Sequence, residues 1–179
     1  MKPIVETDRL LLREFVEDDA EAFFAFNSDP RVMRQTGEPP STSVEEVRKK
    51  IREYPDYRQH GYGRWAVVYK PDDRIVGFNG LKYLEELDEV DLGYRFLVEY
   101  WGRGIATESS LAVVRHGFEA LGLSRIIGLV LPDNAGSIRV LEKVGMSYDG
   151  MSLCYGQRAQ RWSLEAETWR RGAGQEERS

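Results

Sequence analysis

Between residues 64 and 121 the hydrophobic period changes once, and it changes at a pair of glycines. GRWAVVYK, RIVGFNGLKYL and VDLGYRFLV each read as strands, separated by the polar joints PDD and EELDE. Spacing of this kind predicts an antiparallel meander. YWGRGIATE follows, and from Ala106 to Leu121 the apolar residues Leu111, Val114, Phe118 and Leu121 recur at helical spacing, with Gly122 as the stop. A chain that enters a helix through Gly102 and Gly104 presents first-turn N–H groups without helical partners, and glycine removes the bulk that would cover them. Together with the helix dipole they make an anion site. Arg103 adds positive charge, and the small Ala106 keeps the approach narrow. A glycine turn that binds nothing is the alternative. The run lacks the Gly-Lys-Ser/Thr ending of a P-loop and the GxGxxG spacing, and it follows a meander instead of opening a βαβ unit.

The flanking segments fit around this centre. A first strand is expected over 9–15. Asp18 and Glu21 form the spacing of a capping box for a helix carrying Ala22, Phe23 and Phe26 inward, limited by Pro30. Ser43 and Glu46 repeat the signal for a second helix with Val47, Ile51 and Tyr54 on one face, ended by Pro55. RIIGLVL is apolar enough for a buried strand. PDNAGSIRVLEKVG predicts a short helix with Asn134 as cap and Gly145 as stop. Two strands close the chain, around 147–155 and 161–167. The fold class expected is α/β: one mixed, mostly antiparallel sheet flanked by helices, over residues 1–170, with a polar tail over 171–179.

Composition narrows the function classes. A length of 179 residues suits one domain with a sizeable core. With 25 basic and 30 acidic residues, the net charge of −5 argues against nucleic acid as a partner. The single cysteine, Cys154, cannot form a disulfide within the chain, and with only two histidines, His60 and His116, no metal site is expected. No apolar run approaches the roughly 20 residues that span a bilayer, and the first residues do not read as a signal peptide. A cytoplasmic protein, monomer or homodimer, is the expectation.

Taken together, four stretches resemble the GCN5-related N-acetyltransferase (GNAT) superfamily, in its ribosomal-protein N-terminal acetyltransferase-like (RimJ/RimL-type) branch. They are ETDRLLLREF, VDLGYRF, YWGRGIA and LPDNAGSIRVLEKVGM, in the family's order, and the resemblance runs from about Glu6 to Trp169. The family's pyrophosphate loop, Arg/Gln-x-x-Gly-x-Gly/Ala, is matched at its final Gly-x-Ala by Gly104, Ile105 and Ala106, whereas Trp101 departs from the usual first residue. The resemblance implies a GNAT-like acyl-CoA N-acyltransferase fold whose fourth and fifth strands splay apart. It implies acetyl-CoA as cosubstrate, with no metal. Gly102, Arg103, Gly104, Ile105, Ala106 and Thr107 would surround the pyrophosphate, Leu97 and Val98 would offer backbone to the pantetheine arm, and Asn134 and Ser137 would lie beside the thioester.

Acetyl transfer to an amine needs a deprotonated amine, a donor for the developing oxyanion and a fate for the thiolate. Asp91 is the candidate base, on a strand where Asp91, Gly93 and Arg95 share one face; a solvated carboxylate or a partner for Arg95 is the alternative. Glu89 and Glu108 are weaker candidates. The tyrosine that many family members use to protonate the thiolate corresponds to Leu141, which leaves Ser137, with Tyr148 and Tyr155 as spare donors. Ser137 also suits a first-turn helical hydroxyl. Cys154 has no local histidine or acid and reads as a buried thiol. Phe24, Met33, Trp65, Tyr83 and Tyr155 are candidates to line the acceptor pocket. The last strands lack the Asp-Gly-x-Trp-x-Asp pattern of protein-directed relatives, while the acidic turn EELDEVD would favour a cationic acceptor if it faces the cleft. The expected activity is acetyl transfer to a protein N-terminus or a small amine in a ternary complex. Use of another acyl-CoA, or a non-catalytic acyl-CoA-binding module, is the alternative.

Overall fold

The computed structural model describes residues 3–154 and 156–176, with the side chains of all of these except residue 154 and residues 173–176. A short β1 (Val5–Glu6) turns into β2 (Leu10–Arg13), followed by α1 (Ala20–Asn27), α2 (Pro30–Met33), α3 (Val44–Arg52) and α4 (Asp56–His60). The meander is β3 (Arg64–Tyr69), β4 (Arg74–Leu84) and β5 (Glu89–Phe96). Then come α5 (Ile105–Glu119), β6 (Arg125–Val130), α6 (Ala135–Val144), β7 (Ser147–Cys154), β8 (Gln157–Glu165) and α7 (Ala166–Glu176). The expected mixed sheet is present, in the order β1-β2-β3-β4-β5-β6-β8-β7. Every neighbouring pair is antiparallel except β5 and β6.

The sheet carries apolar residues on both faces, so it needs cover on both. On one face Leu81, Leu92, Val113, Val114, Phe118 and Ile126 join β4–β6 to α5. On the other, Phe23, Phe26 and Val47 of α1 and α3 pack on Ala66, with Phe78 against them. α5 is also pinned by a buried polar contact: Asn79 Nδ2 donates to the hydroxyls of Ser109 and Ser110 at 2.8 and 2.9 Å.

Three local expectations change. The carboxylate that organises the entry to α1 is Asp19, not Asp18: it is buried, accepts from Val16 N–H and is gripped by Arg13. At α3 the Ser43 hydroxyl accepts from Glu46 N–H as expected, but Glu46 closes the box one residue early, on the N–H and hydroxyl of Thr42. The last strand ends at Glu165, and α7 runs from Ala166 through residues assigned to a tail. Within β4, Val76 is the extra residue of a bulge, where the register on β3 passes from Gly77↔Val67 to Ile75↔Val68.

Candidate active site

The sheet opens between β5 and β6. Their parallel pairing is confined to one position, Asp91↔Ile127. Beyond it the next β6 donor, Leu129 N–H, goes to the Asp91 carboxylate at 3.2 Å. A side chain thus takes the place of a ladder bond, and the strands diverge. The register on β4 decides which backbone groups face the gap. Leu97 N–H donates to Val76 O at 2.9 Å, so β4 uses the odd-numbered residues of β5, and Tyr94 and Phe96 turn theirs toward β6. Leu97 and Val98 therefore do not form the open edge. Leu97's donor is spent on β4, and Val98 already begins the helical turn Val98–Tyr100. The Phe96 carbonyl accepts from Trp101 Nε1 at 2.9 Å, which leaves the Phe96 N–H and the Tyr94 backbone on the cleft.

The chain then enters α5 through two glycines at positive φ, Gly102 at 72° and Gly104 at 77°. A side chain at Gly102 would meet open space, so its backbone is approachable. Gly104 is the residue before α5, and its carbonyl accepts the first ladder bond from Glu108 N–H at 2.9 Å. The N–H groups of Ile105, Ala106 and Thr107 precede that ladder and lie on the same cleft. Arg103 does not point into the turn: its guanidinium lies over the Tyr100 ring, 4.9 Å from the centroid. Arg9 braces the loop, donating to Arg103 O at 3.1 Å and pairing with Glu108. Glu108 is thereby removed as a candidate base. Partial burial pushes its carboxyl up, but the bonds from Thr7 and Arg9 outweigh it and the net direction is down. Glu89 is likewise engaged, with Arg125 at 3.0 Å.

Asp91 lies deeper than a solvated strand carboxylate. It is buried and ion-paired with Arg64 on β3, not with Arg95. Gly93 makes this possible, because a Cβ there would overlap the Arg64 guanidinium. Burial pushes the Asp91 carboxyl up, against the opposing pull of Arg64 and the Leu129 N–H. Arg95 instead bonds Glu38 and Asn27, tying the segment after α2 to β5.

At the start of α6, the Asn134 side chain accepts from Ser137 N–H at 3.0 Å. The Ser137 side chain lies within bonding reach of the Tyr94 hydroxyl. Leu141 is buried and packs toward Gly128, so no hydroxyl stands at that position. One does stand nearby: Tyr94 donates to the Ser137 carbonyl at 3.3 Å, with its acidity pushed to about 12 chiefly by burial. The alternation of VDLGYRF places Tyr94 on this face, but nothing local links it to residue 137. Tyr148 lies exposed on β7 against Trp162, away from the cleft. Tyr155 and the Cys154 side chain lie outside the described residues.

Asp91, Tyr94, Phe96, Gly102, residues 104–107, Asn134 and Ser137 open onto one cleft of about 1560 Å³ that continues to the face covered by α1, α3 and α4. Of the expected acceptor-pocket residues, Tyr83 lines it. Phe24, Met33 and Trp65 do not: Met33 and Trp65 are core side chains, and Phe24 packs against the α1–α3 cluster. Glu85 and Glu86 of the acidic turn line the cleft, which meets the condition for favouring a cation. Asp56, Tyr54 and His60 line it from the α4 region, and the sequence gives no local sign of that.

A sequence model described as an acetyltransferase (GNAT) domain matches residues 9–147. The uncharacterized N-acetyltransferase YoaA of Bacillus subtilis (strain 168) is 37% identical over 157 residues, which cover 87% of this chain and 89% of the relative. A GNAT-family acetyltransferase from Bacillus anthracis, 27% identical, superposes with a TM-score of 0.77 over 91% of this chain and 98% of its own. RimL, a ribosomal L7/L12 alpha-N-protein acetyltransferase solved in complex with coenzyme A, shares the fold at a TM-score of 0.79. That match covers 93% of this chain and 99% of RimL at 19% identity. Among the described residues, no helix is long and apolar enough to cross a membrane.

Proposed function

The chain belongs to the GNAT acetyltransferase family, and from that premise we propose that it moves an acetyl group from acetyl-CoA to a primary amine by direct attack, with both substrates bound. The observation that carries this reading is the run of backbone donors along one cleft, from Phe96 on the open edge of β5 to Ile105, Ala106 and Thr107 at the start of α5. A pantetheine arm carries amides that pair with a free strand edge, and a pyrophosphate suits the start of a helix. Gly102, Arg103 and Gly104 complete the loop, and Arg139 and Lys143 of α6 add positive charge to the same wall. Asn134 and Ser137 stand at the other end of the arm.

Bound acetyl-CoA supplies a thioester whose carbonyl carbon forms the new C–N bond as its C–S bond breaks. The chain's own groups do the rest. Phe96 N–H is the donor offered to the carbonyl oxygen. Asp91, held in place by Arg64 and the Leu129 N–H, takes the ammonium proton directly or through water. Its raised acidity range makes it a better acceptor of that proton than an ordinary aspartate. The Ser137 and Tyr94 hydroxyls, close to each other on the cleft, are the donors offered to the leaving sulfur in a chain with Leu141 where the family has its tyrosine. RimL is an acetyltransferase of a protein, ribosomal L7/L12. In this chain Glu85 and Glu86 on the cleft favour a cationic amine, protein N-terminus or small molecule.

The test is release of free coenzyme A thiol from acetyl-CoA by purified protein, against a panel of primary amines, beside a calorimetric titration with acetyl-CoA. Stoichiometric binding with amine-dependent release supports the reading. Binding without release by any amine would leave a non-catalytic acyl-CoA module, and no binding to the folded protein would overturn the cofactor assignment.

A further inference from the structure

Asp56 is the exception among the buried carboxylates of this cleft. Asp91 has Arg64, and outside the cleft the buried Asp19 has Arg13. Asp56 is only 6% exposed, yet no described cation lies within 4 Å of its carboxylate, and its Oδ2 has no hydrogen-bond partner. The partner it does have is neutral: the Tyr54 hydroxyl bonds it, and Tyr62 is close enough to feel its charge. An ionised carboxylate withdrawn from water without a cation is costly and survives where something else repays it.

The surroundings say what would repay it. Asp56 lines the acceptor end of the cleft with Tyr54 and His60, and His60 packs against Tyr83, ring to ring, at 5.3 Å. Glu85 and Glu86 lie on the same wall. The cations there are mostly spoken for: Arg64 by Asp91, Arg95 by Glu38 and Lys50 by Glu46, while Lys82 stands beyond ion-pair distance from Asp56. A buried carboxylate with one oxygen left without a hydrogen-bond partner, on the wall of a cleft beside a tyrosine hydroxyl, is the chemistry that receives an ammonium group.

We propose that Asp56 seats a second positive charge of the acceptor, so that the substrate is a dication: one amine delivered to the thioester near Asp91, and another cationic nitrogen held at Asp56. This rests on the acetyltransferase reading and narrows it to diamines, polyamines, amino sugars or N-terminal segments bearing a basic side chain.

The experiment titrates 1,5-diaminopentane and 1-aminopentane, equal in chain length and differing by one charge, into the protein alone and into the protein saturated with coenzyme A. The diamine is expected to bind at least tenfold more tightly. Asp56→Asn should abolish that preference while leaving acetyl-CoA affinity unchanged, and Asp56→Glu, which keeps the charge, should retain part of it. Because Asp56→Asn relieves an unpaired buried charge, its melting temperature should equal or exceed that of the parent. Equal affinity for the two amines in the unmodified protein overturns the proposal, whether or not any variant folds. A preference that survives in folded Asp56→Asn, or a clear fall in its melting temperature, overturns it as well, the latter by making Asp56 a structural residue. Loss of acetyl-CoA binding by the unmodified protein would instead strike the cofactor reading, and the amine titration on the protein alone would still decide the role of Asp56.

Discussion

The two ends of the cleft are built from different materials. The end at α5 is made of backbone: N–H groups at residues 105–107, an approachable Gly102, and a strand edge at Tyr94 and Phe96. The opposite end is made of side chains gathered from α4, β3, β5 and the β4–β5 turn: Asp56, Arg64, Asp91 and Glu86. Backbone recognition tolerates substitution of side chains but not of the glycines that shape it. Side-chain recognition inverts that tolerance. The difference suits a constant ligand at the first end and a selected one at the second.

The comparison can be broken by substitution. The largest effect is expected at Asp91, because Asn there removes the proposed proton acceptor and the carboxylate charge that pairs with Arg64. Turnover should fall by about 10²-fold or more, and stability by about 3 kcal/mol, while the remaining folded protein keeps its acetyl-CoA affinity. Denaturant melts and steady-state assays measure both, and a matching loss of acetyl-CoA affinity would blur the division between the ends. Next, Gly104→Val puts a β-branched residue at a φ of 77°. The strain of about 1–2 kcal/mol and the displaced first turn should weaken acetyl-CoA binding by about tenfold or more, with amine preference untouched. Unchanged affinity in the folded variant would remove the loop from the site.

Tyr94→Phe should lower turnover by about tenfold, less than the roughly 10²–10⁴-fold of a sole general acid, because the Ser137 side chain stands beside it. Burial holds this hydroxyl neutral to about pH 12. The fold favours the neutral form, so its contribution to stability is full below the unfolded value near pH 10 and fades as pH rises through about 12. The ratio of parent to variant rates should therefore stay flat from neutral pH to about 10; a step below that would show the group ionising earlier. The smallest effect belongs to Glu108→Gln. It loosens the brace from Arg9, a partly exposed pair worth about 1 kcal/mol or less, and should lower the melting temperature by a few degrees without changing turnover.

How much of this was legible in the sequence follows the same division. A backbone turn announces itself locally: glycines before an amphipathic helix leave a contiguous trace, and Gly102 and Gly104 stand at positive φ at the entry to α5. The register of the open edge left no such trace. Which of Phe96 or Leu97 faces the gap depends on the bulge at Val76 and on the pairing with β4, so the expected edge fell too far along the chain. The side-chain end is assembled across long separations. Asp91 could be nominated from its strand, but its partner Arg64 is 27 residues earlier and is admitted only because Gly93 has no side chain. Asp56 looks like any first-turn helical acid until its burial, with no ion pair among the described residues, sets it apart. Met33 and Trp65 failed as pocket residues for the opposite reason: large apolar side chains near a site most often serve the core.

Amide hydrogen exchange with and without acetyl-CoA tests the division most directly. The account predicts added protection at Phe96 and at Ile105, Ala106 and Thr107, with residues 56–60 unchanged until a diamine is added. Protection confined to the α4 region, or none at the start of α5, would contradict it.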